Sequence, residues 1–330
     1  MSVDWREAQR IVGTSNEDDY ILDLEEHCDR YTDDAPALAA LLERAGARAV
    51  ARSYQRFDQD ALDAAARYRR WMFRTNLAVL ITSVATASAM AWSLAATEMP
   101  SLQSGLLAQG NTVLGIMASI AAAVGAAGLF VLRQGRLLET WMSKRATAES
   151  HRTAYFEDIV ARAVEAPSPA PILGLEYFRR YQFEVQKAYL LNRARQHESS
   201  ARTTVILGSI GAAVAALTSV AGVASDVAQH VLGAFTVFGA SLGAYAIGRE
   251  QMTQDRRNAE RYFRTYASLV ELARKLDDVR EAVIEGRPKA AREFSLAVDE
   301  HISNEHRQWL EKTEATQASM ARIEEALSSS

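Results

Sequence analysis

Cysteine occurs once in this 330-residue chain, at Cys28. That excludes an intramolecular disulfide framework and suits a reducing compartment. Histidine is sparse and scattered, with six in all. His27 and Cys28 are adjacent, and neighbours on a helix point about 100° apart, so they make poor co-ligands. His301 and His306, five apart, also miss a common face. There is no GxGxxG, no P-loop and no HExxH. Asp33 and Asp34 suit a helix cap better than a catalytic pair. The expectation is a protein without catalytic, cofactor-binding or metal-ligating residues, and not an enzyme. A net charge of −4 gives no reason to expect a nucleic-acid partner. Asp4, Arg6 and Glu7 stand where the apolar core of a signal peptide would begin, so none is expected.

Charge is also missing, but only locally. Asp, Glu, Lys and Arg make up 24% of the chain yet are absent from 75–97, 112–132, 203–225 and 227–248. Each run has 21–23 residues, roughly 32–35 Å of helix, enough to cross a bilayer core. Alanine and glycine make the runs only moderately apolar, so a soluble Ala-rich bundle is the competing reading. Charge placement opposes it. Fifteen basic residues flank the four runs, from Arg67, Arg69, Arg70 and Arg74 to Arg249, Arg256 and Arg257, while the connectors 98–111 and the turn at Asp226 hold none. The positive-inside rule then places both termini and the middle region of a multi-pass membrane protein in the cytoplasm, with two short hairpin loops outside. With no strand alternation elsewhere, the fold class is an all-α membrane protein, two transmembrane hairpins with long cytoplasmic helices.

Small residues suit membrane helices, which associate by close packing rather than by leaving water. The third run sets Thr204, Gly208, Gly211, Ala215 and Gly222 on one face. The fourth carries Gly239 and Gly243, and the second Ala121, Gly125 and Gly128. These faces are expected to pack helix on helix, within one chain or between subunits of a homo-oligomer. No Asp, Glu, Lys or Arg lies within the runs, and the one histidine, His230, is near an end, which counts against a proton- or ion-coupled pump. A pore lined by hydroxyls stays open: Thr82, Thr86 and Ser93 follow one stripe of the first run, which Thr75 extends. The plainer role of such hydroxyls is bonding back to helix carbonyls.

The stretches after the second and fourth runs resemble each other at an offset of 111 residues. Glu139 meets Glu250, Arg145 meets Arg256, Ala148–Glu149 meet Ala259–Glu260, and Tyr155 meets Tyr266. Arg145 and Glu149, like Arg256 and Glu260, are i,i+4 on one helix face. This reads as a parallel duplication. The expected organisation is an N-terminal helical region over 1–64, a first two-span unit over 65–165, a proline-rich linker over 166–174, a second unit over 175–285, and a C-terminal amphipathic helix within 286–330. "APSPAP" forbids a helix across the linker. Asp34 before Pro36 predicts a capped helix start, with a break near Gly46. Helices continuous with the third and fourth runs should cover 175–202 and 249–285, and "EGRP" at 285–288 is a break.

Basic, tyrosine-containing helices lead into each hairpin, "YRRWMFRTNLAVL" and "YLLNRARQHESSARTTVIL", and helices with Arg-x-x-Ala-Glu-like spacing and then Tyr leave it. This pattern resembles the SLATT family, two-transmembrane effector modules of bacterial nucleotide-signalling conflict systems, twice over: about 65–160 and 185–275. The second copy departs more, with Met252 in place of Trp141 and a shorter outside turn. The resemblance implies an effector that oligomerises in the inner membrane and permeabilises it during phage infection. Its partners would be the lipid bilayer, further copies of itself and a separate sensor or trigger protein. The alternative is a non-conducting anchor or scaffold whose cytoplasmic helices bind a partner protein.

Overall fold

A computed structural model describes residues 4–98, 109–221 and 226–304. Readings that fall on Gly222, on the side chains of His230 and Met252, on His306, and on the connector and C-terminal segments beyond these ranges lie outside the described residues. The order is α1 (Trp5–Val12), a 3-10 turn (Glu17–Tyr20), α2 (Leu24–Tyr31), α3 (Pro36–Leu42), α4 (Ala45–Glu98), α5 (Gly110–Gln134), α6 (Leu137–Glu165) and α7 (Ala170–Phe178). A π-helical turn (Arg179–Glu184) leads into α8 (Val185–Ala221), then α9 (Asp226–Thr253), α10 (Asp255–Ala273), α11 (Leu276–Ile284) and α12 over 289–304. Among the described residues there is no strand. The chain divides into two units: Met1–Asp63 with Trp141–Arg195 and Ala259–Ser330, and Ala64–Thr140 with Gln196–Asn258.

The first unit is built around residues 170–183, nearly all of which are buried. Tyr177, Phe178, Tyr181 and Phe183 pack with Tyr31, Tyr54, Tyr155, Phe156 and Phe294 in one aromatic core. A helix apolar on every side can only sit inside a layer of others. Here α1, α2, α3, α6, α11 and α12 each contribute buried residues to that layer. The stretch expected to be a linker is therefore part of the core. Only 166–169 are non-helical; α7 starts at Ala170, with Pro169 as N-cap and a proline in its first turn. The missing N–H of that proline falls where a helix has no intrahelical acceptor for it, so proline opens the helix instead of breaking it.

Other boundaries also moved. The N-cap of α3 is Ala35, without a side-chain cap bond, so the expected aspartate cap is absent there. The capping aspartate is Asp23, which accepts from the Glu25 and Glu26 amides at the start of α2. The break before α4 falls at Glu43–Arg44, and Gly46 lies in the first turn of α4. The helix after the fourth run is interrupted at Gln254, which takes φ +49 between α9 and α10. The break at 285–288 is present. Gly286 adopts φ +88, its amide donates to the Val283 carbonyl at 3.2 Å, and the Arg287 amide donates to Ala282 at 2.9 Å. That pairing satisfies the last carbonyls of α11 and needs a residue free of Cβ strain.

The second unit holds the uncharged runs. Three helical stretches are long and apolar enough to cross a membrane: Ala45–Ser93, Gly110–Glu165 and Ala170–Ser219. Only 11% of the most apolar window of the α5 stretch is buried within the chain, and Ile116, Ile120 and Phe130 face outward there. Val205, Ile210 and Leu217 do so on α8. Apolar exposure on that scale calls for lipid or a partner.

Candidate functional site

The second unit is organised by two antiparallel helix pairs that touch through small residues. On α8 and α9, a Cβ placed on Gly211 would lie 2.6 Å from the Gly239 carbonyl oxygen and 2.8 Å from the Gly243 amide nitrogen. One on Gly239 would lie 2.6 Å from the Ala215 amide. Gly208 faces Ala246 at 3.4 Å. Farther along, the Thr218 and Thr236 hydroxyls are hydrogen-bonded at 2.7 Å. Each step of three or four along α8 is matched by the same step back along α9, as an antiparallel pair requires. Backbones at this separation leave no space for a side chain at Gly211 or Gly239. Gly243 presents its backbone to Gly211, while its own α-carbon face is open.

The pair α4/α5 repeats this register. Gly128 lies directly against the Thr75 side chain, and Gly125 faces Ala78 at 3.6 Å. Thr75 and Ala78 thus stand to Gly128 and Gly125 as Gly208 and Gly211 stand to Ala246 and Gly243. Thr75 is fully buried, and its hydroxyl has no hydrogen-bond partner among the described residues. The other hydroxyls of its stripe face outward in part. Thr82 donates to the Ala78 carbonyl at 2.8 Å, Ser93 donates to Met90 at 2.9 Å, and Thr86 is exposed. Where α8 meets the start of α10, the His197 ring Nδ1 lies 2.6 Å from the Asp255 carboxylate. Burial, the largest single influence, would raise the Asp255 carboxyl, but the hydrogen bonds from His197 and Thr253 together with the His197 and Arg249 charges hold it below its ordinary range.

In the first unit, arginines carry the polar structure. Arg152 is wholly buried and donates to Gln182 Oε1 at 2.7 Å, to the carbonyls of Tyr20 and Tyr181 at 2.8 and 2.6 Å, and to the Tyr54 hydroxyl at 3.0 Å. Glu176, also fully buried, accepts from Arg179 at 2.5 Å and from Arg280 at 2.7 and 3.1 Å. Arg180 forks onto Asp19 at 2.8 and 3.0 Å and reaches the Val12 carbonyl at 2.5 Å. A planar fork with several donors is what lets a guanidinium be buried at all.

Residues 178–309 match the SMODS and SLOG-associating 2TM effector domain 1. The SLATT match therefore takes in α8, α9 and their tight contact, then α10, α11 and α12. No curated protein and no solved structure matches the chain. Three apolar helices of spanning length and a match to a two-transmembrane domain both point to a membrane protein. The match takes in the second hairpin, the one with Met252 that the sequence reading took as the more divergent; the α4/α5 hairpin lies outside it, so the match does not show a duplication. The match also reaches 309, beyond the 275 expected. It begins inside the aromatic core, so Arg179, Arg180 and Gln182 belong to the SLATT segment while Glu176, Asp19 and Arg152 precede it.

The repeat-related residues have different surroundings. Arg145 is ion-paired with Glu149 and, at 3.0 Å, with Asp58, and donates to the Tyr20 hydroxyl at 2.5 Å. Tyr155 is fully buried and bonded to Tyr177 at 2.8 Å. Arg256 and Glu260 are exposed, and Tyr266 is half-buried against the core. The arginine clamp and the aromatic core escaped the sequence reading, because their partners are far apart in the chain: Arg180 and Asp19 are separated by 161 residues. The one available signal was four polar or charged residues, Glu176, Arg179, Arg180 and Gln182, in an otherwise aromatic stretch.

Within the SLATT segment, Asp299 on α12 is buried, and neither carboxylate oxygen accepts a hydrogen bond among the described residues. Burial pushes its carboxyl up to about 7, with Glu157 adding to the rise and the Gln182 side chain opposing it. A carboxyl raised from 3.8 favours the fold fully below its unfolded pKa and withdraws that support as pH rises to about 7. His27 acts the other way. Burial first, then Arg30, pushes it down to about 4, so it withdraws support as pH falls from 6.5. Asp299→Asn should raise the Tm of the detergent-solubilised chain at neutral pH and above, and leave it unchanged in acid. Circular dichroism melts of both proteins across this window isolate the difference. A constant offset at every pH would refute the assignment.

Proposed function

We propose that this chain is a four-span effector of the bacterial inner membrane that oligomerises and permeabilises the membrane in antiphage defence. Both termini are cytoplasmic, and α9 is the fourth span. The observation carrying the reading is that the α8/α9 hairpin, whose runs 203–225 and 227–248 hold no Asp, Glu, Lys or Arg and which is closed at Gly211 and Gly239, lies inside the SLATT match. Uncharged spans insert at little cost and can rearrange without breaking ion pairs in lipid. The α4/α5 hairpin, packed in the same register, acts as a second copy of the same device. The arginine clamp ties the start of the SLATT segment to residues 12–20 and so favours a resting arrangement. A separate trigger protein shifts that packing, and no enzymatic step is required.

A scaffold that never conducts is the second reading, favoured by the Thr82 and Ser93 hydroxyls donating to their own helix carbonyls. Induction in bacteria with a voltage-sensitive dye separates the two. Depolarisation, altered in rate by Thr82→Leu with Thr86→Leu, is the expected result. Unchanged potential at high membrane levels, including during phage infection with the neighbouring genes present, would leave the scaffold.

A further inference from the structure

Several charged residues elsewhere in the chain pair at the surface. Arg10 pairs with Glu7, Arg30 with Glu26, Arg162 with Asp158 and Arg274 with Glu271. The last turns of α4 before its apolar run are different. Arg67, Arg69, Arg70 and Arg74 are all exposed, and none has an ion pair among the described residues. Arg70 reaches only the Ala66 carbonyl, at 3.3 Å, and Arg74 lies over the Trp71 ring at 5.6 Å. No Asp or Glu occurs from residue 64 to residue 97; the nearest acid before the cluster on this helix is Asp63, four residues before Arg67, and no ion pair joins the two. Arg67, Arg70 and Arg74 stand three and four apart on one face, where like charges repel. An anion held at this cluster would relieve that repulsion.

The surroundings say which anion. Thr75 begins the uncharged run, and Phe73, 66% exposed, sits between Arg70 and Arg74 with Trp71 half-exposed beside it. Aromatic side chains at this level are placed for a membrane–water boundary. Side chains on a helix lean toward its N-terminus, so these guanidiniums lean away from the apolar run and into the headgroup layer. Arg136, just beyond the end of α5, is by contrast already paired with Glu139. A soluble phosphate would satisfy the charge but leave Phe73 in water. We propose that this arginine collar binds the phosphodiester headgroups of anionic phospholipids in the leaflet where α4 enters the membrane. The forked guanidinium suits a phosphodiester, and clustered basic residues beside a span draw anionic lipid. The inference rests on α4 spanning the bilayer and does not depend on permeabilisation.

The test uses the full chain in vesicles of mixed phosphatidylcholine and phosphatidylglycerol, with brominated acyl chains on one lipid or the other. Subtracting a Trp71→Phe protein isolates quenching of Trp71. Brominated phosphatidylglycerol should quench it several-fold more than brominated phosphatidylcholine at equal content. That excess should fall with salt, disappear when all four arginines are changed to Gln, and survive their change to Lys. If the quadruple Gln protein does not insert, Arg70→Gln with Arg74→Gln should lower the excess in the same sense. Equal quenching by the two lipids, or an excess that persists in the Gln proteins, would overturn the proposal. So would removal of the excess by inorganic phosphate at matched ionic strength, which would mark a soluble-anion site. The readout needs no conductance, so failure here leaves the permeabilisation reading standing.

Discussion

Gly211→Leu is expected to open the α8/α9 hairpin. The new side chain would have to occupy space in which even its Cβ meets the Gly239 carbonyl oxygen at 2.6 Å and the Gly243 amide at 2.8 Å. Both obstacles are backbone, so no rotamer change relieves them. Overpacking of this kind costs about 3 kcal/mol or separates the helices. Cross-linking measures it directly. Cys28 is the sole native cysteine, so a Cys28→Ser background carrying Thr218→Cys and Thr236→Cys reports on the α8/α9 contact alone. The disulfide should form readily in that background and be lost when Gly211→Leu is added, while Gly115→Leu, at a position with open space, should leave it intact. A disulfide that survives Gly211→Leu would mean that the helix contact does not depend on this glycine. Under the permeabilisation reading, the Gly211→Leu protein should also fail to depolarise cells.

Glu176→Gln should unfold the first unit. Its carboxylate is fully buried between Arg179 and Arg280, themselves 5% and 6% exposed. Gln keeps the shape but leaves Arg179 without a counter-charge and Arg280 with only the exposed Asp277, at 2.8 Å. Breaking a buried ion pair from one side costs about 3–5 kcal/mol, a large share of the 5–15 kcal/mol that holds a typical domain together. Limited proteolysis of the detergent-solubilised protein should show rapid cleavage across residues 141–195, and urea melts should shift to lower midpoints. Replacing the three charges together by Leu and Met should recover much of the loss, because apolar side chains of similar volume need no partner. Equal damage from the single and the triple change would show that shape, not charge, governs the site.

The two predictions bear on features of different legibility. The hairpin contact was readable, because Gly208, Gly211, Ala215 and Gly239 recur at the three- and four-residue steps of a helix face. What it did not reveal was the partner of each residue, or that Gly243 contributes backbone while its other face stays open. The Glu176 site was invisible. Its partner Arg280 lies 104 residues away, and nothing local marks a glutamate in "GLEYFRR" as buried. Arg145 illustrates the boundary. Its i,i+4 relation to Glu149 could be read along one helix, but Asp58 could not, and the residue counted as a flanking charge turned out to sit in a half-buried ion-pair cluster. The proline-rich stretch misled in the opposite direction, since the same residues that break a helix interior are welcome in its first turn.

The sequence by itself determined the helices, the uncharged runs and the small-residue faces. These follow from interactions within one turn of a helix and from the length needed to cross a bilayer, which are set by neighbours in the chain. Tertiary structure decided which arginine meets which carboxylate, that 170–183 is the core of the first unit, and how tightly α8 meets α9. The clamp depends on groups brought together from more than a hundred residues apart and excluded from water, and the α8/α9 contact on how closely two backbones pack.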